Sequence, residues 1–234
     1  MALAGPGNPG NVALKREGCG FLADRRPKIL FERHIFHRLT DGRFDAEDPD
    51  VSQPTAGGYG LGGAHQYERL AAALLLDREA ALKSASWGLS QILGTNFAAA
   101  GFSRVEDMVE AMGKSEDDQL RAGVQFIITN GMDVPLRNHD WASFARRYNG
   151  PNFAANNYDG LLDHFYHRYA MGPTPDVRIR AAQVYLLYKG FKPGPVDGVQ
   201  GPATTSAVKQ FQQSTHEPVT GTIDDALIAQ LLAA

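Results

Sequence analysis

The sequence predicts a mainly α-helical chain with a large N-terminal domain and a small three-helix C-terminal domain. Apolar residues recur at helical spacing in several stretches, and no convincing run of alternating strand residues is found. The length of 234 residues suits one large domain plus a small module. Residues 171–176 contain two prolines and a glycine, which disfavour a continuing helix, so we expect a linker there.

The composition excludes several classes of protein. Hydrophobic residues make up 43% of the chain and charged residues 21%, which is ordinary for a globular protein. The single cysteine, Cys19, excludes an intrachain disulfide framework and a multi-cysteine zinc site. The net charge of -3 gives no general attraction for nucleic acid. No apolar run approaches the roughly 20 residues that span a bilayer, so we expect no stable membrane insertion.

Residues 12–170 form the predicted large domain. Residues 1–11, rich in glycine and proline, lack the basic and apolar blocks of a secretory signal, and we expect them to be disordered. Residues 49–63 contain five glycines, too many flexible positions for a regular element. Helical spacing predicts helices within five stretches: 64–85, 105–112, 117–128, 141–148 and 161–169.

Residues 177–234 form the predicted small domain. Helical spacing predicts three short helices: from 177 to a stop at Gly190, 202–213 with Pro202 in its first turn, and 224–232. Asp176 and Asp224 are the expected N-caps of the first and third helices. A weak repeat, Val-Asp-Gly at 196–198 and Val-Thr-Gly at 219–221, predicts two equivalent turn–helix units with a positive φ at each glycine.

The small domain resembles the peptidoglycan-binding domain type 1 family. The resemblance rests on GF at 190–191, PVDG at 195–198, GP at 201–202, AV at 207–208, FQ at 211–212 and VTG at 219–221. It implies a three-helix module that docks on bacterial cell-wall peptidoglycan without cutting it. Aromatic faces and amides suit sugar and peptide contacts, so the candidates for wall contact are Tyr185, Tyr188 and Gln212. Each of them could equally be a core residue or an ordinary surface residue.

Three segments of the large domain have a composition typical of a sugar-binding cleft. Segments 21–39, 84–94 and 144–151 place aromatic faces beside amides, hydroxyls and glycines. Flat apolar rings stack on pyranose faces, and amides bind the ring hydroxyls. The alternative for the second segment is a helix start with Trp87 in the core.

These segments resemble the N-acetylmuramidase family of bacteriophage endolysins, which is similar to goose-type lysozymes and lytic transglycosylases. The matching stretches are RPKILFERHIFHRLT at 26–40, GGAHQYERL at 62–70, SASWGLSQILG at 84–94 and RRYNGPNFAANNYD at 146–159. The resemblance implies a lysozyme-like helical fold that hydrolyses the β-1,4 bond between N-acetylmuramic acid and N-acetylglucosamine. It implies no cofactor and no metal; the pairs His34/His37 and His164/His167 have metal-ligand spacing, but no third ligand is obvious.

The catalytic acid departs from the family pattern. Glycosidic hydrolysis needs a partly desolvated carboxylic acid, with a raised pKa, to protonate the leaving oxygen. The resemblance implies one such Glu in a pattern like Glu-Ser-x-Gly-x-Gly-Phe. Residues 15–21 read KREGCGF, which places Lys15 at the Glu position. Glu17 follows two positions later, about 200° around a helix.

Three alternatives stay open for the acid. Glu17 is the acid if the register of the short helix is shifted just before Gly18, so that Glu17 takes the place of the family's Glu. In the second alternative Glu32, inside the first matching stretch, lines the cleft and contributes to the acid catalysis. Its other possible role is an ion pair with a nearby basic side chain. In the third alternative the acid is missing and the domain is inactive. Trp87 walls the cleft or lies in the core, and the residues expected to orient sugar and nucleophilic water are Ser86, Gln91, Tyr148 and Asn149.

The sequence therefore favours a monomeric endolysin whose partner is bacterial peptidoglycan. We expect it to accumulate in the bacterial host cytoplasm and to reach the wall, in the periplasm, after membrane permeabilisation by a separate protein. The alternatives are a lytic transglycosylase, which leaves an anhydro sugar, and a wall-binding protein with a degenerate catalytic domain.

Overall fold

The computed structural model describes residues 20–233. This part of the chain divides into two compact units, residues 20–163 and 164–233. The expected disordered segment, 1–11, and Lys15, Glu17 and Cys19 lie outside the described residues. The predicted linker, 171–176, is exposed and non-helical, and its role as the domain boundary stays a prediction.

The first unit is mainly helical, as the sequence predicts. It also contains a small sheet that the periodicity of the sequence does not reveal. Its elements are β1 (Ile29–Phe31), α1 (Arg33–Leu39), α2 (His65–Leu76), α3 (Arg78–Lys83), β2 (Ala85–Trp87), β3 (Ile92–Leu93), α4 (Val105–Lys114), α5 (Glu116–Thr129), α6 (Asp133–Arg137), α7 (Trp141–Asn149) and the start of α8 (Tyr158–Ala170). No described helix is long and apolar enough to cross a membrane.

The predicted helical stretch 64–85 is two helices followed by a strand. Asp77 interrupts it because its backbone is extended, with φ -154° and ψ 106°. Its carboxylate accepts a hydrogen bond from the Ala80 N–H at 3.0 Å and thereby caps α3. The stretch after α3 leaves the helix to pair with β1.

The sheet is antiparallel, in the order β1-β2-β3. Leu30 pairs with Ser86, and Ser86 pairs with Leu93. Paired residues share a face and successive residues alternate, so Ser86 and Trp87 lie on opposite faces. The Glu32 N–H donates to the Ser84 carbonyl at 2.8 Å, which extends the ladder and puts Glu32 on the face of Ser86.

Two apolar clusters hold the first unit together. The larger packs β1 and β2 against α1 and α4 through side chains that are almost fully buried: Phe31, Phe36, Trp87, Met108 and Met112. The second surrounds α7 and the start of α8, with Phe144, Phe153 and Leu162 buried. These clusters fix β1 and the hairpin between β2 and β3, which hold the candidate site.

The second unit contains the three predicted helices, α9 (Val177–Tyr188), α10 (Pro202–Ser214) and α11 (Asp225–Leu232). They pack around Leu186, Phe211 and Leu231. Both predicted caps are confirmed, because Asp176 accepts from the Arg178 N–H at 2.6 Å and Asp224 accepts from the Leu227 N–H at 2.9 Å.

Two buried glutamines explain the weak repeat in this unit. The Gln183 Oε1 accepts the N–H groups of Asp197 and Gly198 at 3.1 and 2.9 Å. The Gln212 Oε1 accepts the N–H of Gly221 at 2.9 Å. Gly198 and Gly221 have the predicted positive φ, 77° and 74°. Each turn is thus held by the amide of a helix residue, a role that the sequence analysis did not assign.

The assignment of Gln212 to wall contact is corrected by this arrangement. Its side chain is 6% exposed, and its amide nitrogen donates to the Thr220 hydroxyl at 3.0 Å. The amide oxygen and nitrogen both bond inside the unit, and the buried side chain presents almost no surface to an external sugar or peptide.

Candidate functional site

Glu32 lies where β1 ends and α1 begins, at the N-cap position of the helix. Its side chain is 16% exposed. Burial raises the pKa of this carboxyl group, and the nearby Tyr59 hydroxyl and Arg69 guanidinium act more weakly in the opposite direction. A carboxyl group in such a setting keeps its proton to higher pH than usual, which suits a proton donor.

Tyr59 and Arg69 form one side of the Glu32 environment. Burial, and the neighbouring Glu32, raise the pKa of Tyr59 to about 12, so its hydroxyl stays protonated and can donate a hydrogen bond. The Arg69 side chain is anchored to the carbonyls of Asp50 and Tyr59, at 3.0 and 3.2 Å. This anchoring holds a fixed positive charge near the carboxyl group.

His34 forms the other side. Its Nδ1 lies 3.4 Å from the Glu32 Oε2, and both atoms are buried without a hydrogen-bond partner in the part of the chain that the structure describes. The rest of the His34 ring borders a surface cleft of about 490 Å³. The other residues that line this cleft are His37, Arg38, Asp41 and Pro54.

Ser86 and Trp87 occupy opposite faces of β2 and have different environments. Ser86 is half-buried on the Glu32 face. Trp87 is 2% exposed, and its Nε1–H donates to the Leu82 carbonyl at 3.1 Å. Trp87 is therefore a core residue, which corrects its assignment to substrate binding: a ring with no exposed face cannot stack on a sugar.

Gln91 and Tyr148 converge on the turn between β2 and β3. The Gln91 amide nitrogen donates to the carbonyls of Gly88 and Lys28, at 2.8 and 3.2 Å. The Tyr148 hydroxyl donates to the Ser90 carbonyl at 2.7 Å, and its burial raises its pKa. These contacts fix the shape of the turn, so the donors of both side chains are engaged within the protein.

Asn149, the last residue of α7, differs from Gln91 and Tyr148. Its Nδ2 is buried and makes no hydrogen bond among the described residues. An unused buried donor costs free energy, roughly 1–3 kcal/mol, unless another group binds it. Asn149 therefore remains a candidate for substrate contact.

The predicted site residues that the structure describes fall into two groups. Glu32 and Ser86 share one sheet face, whereas Gln91 and Tyr148 bond to the hairpin turn, and Asn149 follows Tyr148 at the end of α7. Glu17 lies outside the described residues. The first described residue, Gly20, lies beside the turn, because its carbonyl accepts the Lys28 N–H and the Lys28 carbonyl accepts the Gly88 N–H, both at 2.8 Å.

Three neighbours of Glu32 were not among the site residues predicted from the sequence: Tyr59, Arg69 and His34. Arg69 and His34 belong to the stretches 62–70 and 26–40, so a signal for them was present. Tyr59 lies in the glycine-rich segment 49–63, where helical or strand spacing gives no signal. Among residues 20–233, no group of three metal-binding side chains is arranged to hold a metal ion.

Tyr185 and Tyr188 lie on α9 in the second unit. Their ring centroids are 6.3 Å apart in an edge-to-face arrangement. Each is half-buried, Tyr185 against the main cluster of this unit and Tyr188 against Val184 and Val196. Both keep exposed ring surface, and wall contact through them stays a prediction.

Comparisons with known proteins match both parts of the chain. The model of the N-acetylmuramidase family matches residues 12–170, and that of a putative peptidoglycan-binding domain matches residues 175–231. A solved structure, described as the crystal structure of Burkholderia AP3 phage endolysin, is 41% identical in sequence with a TM-score of 0.62. The similarity covers 68% of this chain and 61% of that chain. No curated protein sequence gives a significant match.

Proposed function

The chain belongs to the N-acetylmuramidase family, and from this membership we propose that it is a modular endolysin. In this proposal it hydrolyses the β-1,4 bond between N-acetylmuramic acid and N-acetylglucosamine in bacterial peptidoglycan. The observation that carries the proposal is the order of the two matches, a muramidase domain at 12–170 followed by a peptidoglycan-binding domain at 175–231. The first part would cut the polymer to which the second part binds.

Glu32 is the proposed general acid. Support comes from its burial, its raised pKa and its position on the sheet face of Ser86. In the reaction, the Glu32 carboxyl group donates its proton to the glycosidic oxygen as the bond to the muramic acid carbon breaks. Water then attacks that carbon, while Ser86 and Asn149 orient the sugar and the water, and the reaction needs no cofactor.

Glu17 is the rival acid, since the family pattern places its Glu in the same segment, at Lys15. A Lys ammonium has an unperturbed pKa near 10.4 and is poorly matched to this proton transfer. If Glu17 is the acid, Glu17→Gln abolishes activity. If the acid is missing from position 15, Lys15→Glu creates activity that the wild type lacks. If Glu32 is the acid, Glu32→Gln abolishes activity and Glu17→Gln leaves it intact.

The C-terminal unit is the proposed wall anchor, with Tyr185 and Tyr188 as its contacts. Linking a binding module to the catalytic domain raises the local concentration of substrate without any new contact in the active site. In this proposal the protein acts as a monomer, accumulates in the host cytoplasm and reaches the wall once a separate protein has permeabilised the membrane.

The decisive experiment is digestion of purified peptidoglycan, with mass spectrometry of the released fragments. Fragments with reducing muramic ends support the hydrolase. Fragments with anhydro ends identify a lytic transglycosylase instead.

A second candidate function is wall binding without cutting. Lys15 at the family's Glu position is the observation that favours it. Sedimentation with insoluble peptidoglycan, without release of fragments, would establish this function and refute the hydrolase.

A further inference from the structure

We propose that His34 is a positioning residue that carries protons between the surface cleft beside α1 and the buried Oε2 of Glu32. The inference rests on the proposed function, in which Glu32 protonates the leaving sugar. From the sequence, His34 was notable only because it and His37 have the spacing of metal ligands.

The geometry gives Glu32 one buried and unpartnered oxygen. The His34 Nδ1 faces this Oε2 at 3.4 Å and is itself buried without a hydrogen bond, within the part of the chain that the structure describes. The His34 side chain is nevertheless 26% exposed and lines the cleft of about 490 Å³. The imidazole ring therefore lies between the carboxyl group and open solvent.

A proton relay through His34 meets a requirement of the reaction. Each time Glu32 donates its proton to the leaving oxygen, the carboxylate must be reprotonated before the next turnover. Bound polysaccharide excludes water from the side of the carboxyl group that meets the glycosidic oxygen. A path through Oε2 and His34 remains open to the cleft while the substrate is bound.

The His34 Nε2 takes a proton from water in the cleft while the Nδ1–H passes its proton to the Glu32 Oε2. The imidazole is neutral before and after the step, and Glu32 changes from carboxylate to carboxylic acid. The proton released by the attacking water neutralises the hydroxide left in the cleft. His34 ends the step with its proton on Nε2, and exchange with water in the cleft returns the ring to the Nδ1–H tautomer before the next turnover.

The charges around the pair keep His34 neutral at rest. Burial, together with the Arg38 and Arg33 guanidinium groups, lowers the pKa of His34. Burial raises the pKa of Glu32, against the smaller effects of Tyr59 and Arg69. These shifts bring the two pKa values closer together, which makes transfer in either direction easier.

His37 provides a matched control. It lies one helical turn from His34, lines the same cleft and is 29% exposed. Its Nδ1, however, contacts the Asp45 carboxylate at 2.8 Å, and this carboxylate also accepts the Ser52 hydroxyl at 2.5 Å. His37 thus shares the environment of His34 without facing Glu32.

The test is chemical rescue of the full-length protein. His34→Ala is expected to lower the turnover of peptidoglycan at least about tenfold with little change in KM. Added imidazole, which can enter the cleft, is expected to restore turnover. His37→Ala is expected to stay within about twofold of the wild-type rate and to show no response to imidazole.

Two further variants keep the test decisive. If His34→Ala fails to fold by circular dichroism, His34→Gln keeps a polar side chain that cannot carry a proton, and it is expected to be equally slow. Wild-type turnover in His34→Gln or His34→Ala, or loss of turnover that imidazole does not restore, overturns the proposal. Glu32→Gln tests the acid separately from the relay. If Glu32→Gln stays active, Glu32 is not the acid, whereas an inactive Glu32→Gln with a fully active His34→Ala refutes the relay alone.

Nuclear magnetic resonance gives a readout that does not depend on activity. In Glu32→Gln, removal of the carboxylate 3.4 Å from the His34 Nδ1 is expected to lower the pKa of His34. An unchanged His34 titration would show that the two groups do not interact and would overturn the proposal.

Discussion

Replacing Gln183 with alanine is expected to destabilise the C-terminal unit by about 2–6 kcal/mol. Gln183 is fully buried, and its Oε1 accepts the backbone N–H groups of Asp197 and Gly198. Leaving a buried N–H without an acceptor costs about 1–3 kcal/mol, and alanine leaves two N–H groups without theirs, that of Gly198 buried and that of Asp197 part-buried. The amide also donates to the Thr204 hydroxyl and the Val199 carbonyl, both at 3.1 Å, so the loss reaches both sides of the turn.

Hydrogen exchange of the full chain, followed by mass spectrometry, measures the change in the free energy of unfolding of each unit separately. A loss of about 2 kcal/mol accelerates exchange of the α9–α11 amides about 30-fold. Amides in residues 20–163 serve as the internal reference and should be unchanged. Gln212→Ala is the matched control. The Gln212 Oε1 accepts a single backbone N–H, so this substitution should lower the stability of the unit about half as much. If Gln183→Ala accelerates exchange less than Gln212→Ala, the reasoning about buried acceptors is wrong.

Three further predictions concern the first unit. Because burial raises the pKa of Glu32, the folded chain holds this proton more tightly than the unfolded chain, and the wild type loses stability as pH rises through the folded pKa. Glu32→Gln should therefore raise Tm at pH 7 and change it little at pH 4; equal shifts at both pH values would contradict this. Trp141→Phe leaves Trp87 as the only tryptophan, and its fluorescence should be blue-shifted and insensitive to both iodide and peptidoglycan fragments; quenching by either would show an exposed ring. Tyr148→Phe removes the bond to the Ser90 carbonyl and should lower the free energy of unfolding in urea by about 0.5–1.5 kcal/mol, whereas an unchanged value would mean that this bond contributes nothing.

The helices and their ends were predictable where the signals are local. Asp176 and Asp224 precede helical periods and accept N–H groups two or three residues ahead, so the nearby sequence contains the whole interaction. The same holds for Pro202 in the first turn of α10 and for Gly190 after α9.

The sheet was not predictable from local pattern, because its pairs join distant segments. β2 has three residues and forms only because β1 lies alongside it, with Ile29 opposite Trp87. Without knowledge of this partner, residues 64–85 give one continuous helical pattern. The extended backbone at Asp77, which divides that stretch, is part of the same tertiary arrangement.

The candidate site was predictable as a set of segments, but the role of each side chain was not. Trp87 and Gln212 have residue types that suit sugar contact, yet packing buries both. Glu32 was identified from a matching stretch, whereas its neighbours Tyr59, Arg69 and His34 acquire their roles only when the chain folds around the carboxyl group. Burial and pairing depend on the fold, and one sequence does not show them.

The most direct test of the account compares wild type with Glu32→Gln on purified peptidoglycan and follows the fragments by mass spectrometry. With Glu32 as the general acid, the wild type is expected to release fragments with reducing muramic ends, and Glu32→Gln, folded as judged by circular dichroism, is expected to release none. This expectation is contradicted if the wild type binds peptidoglycan without releasing fragments, or if Glu32→Gln releases the same fragments at the wild-type rate.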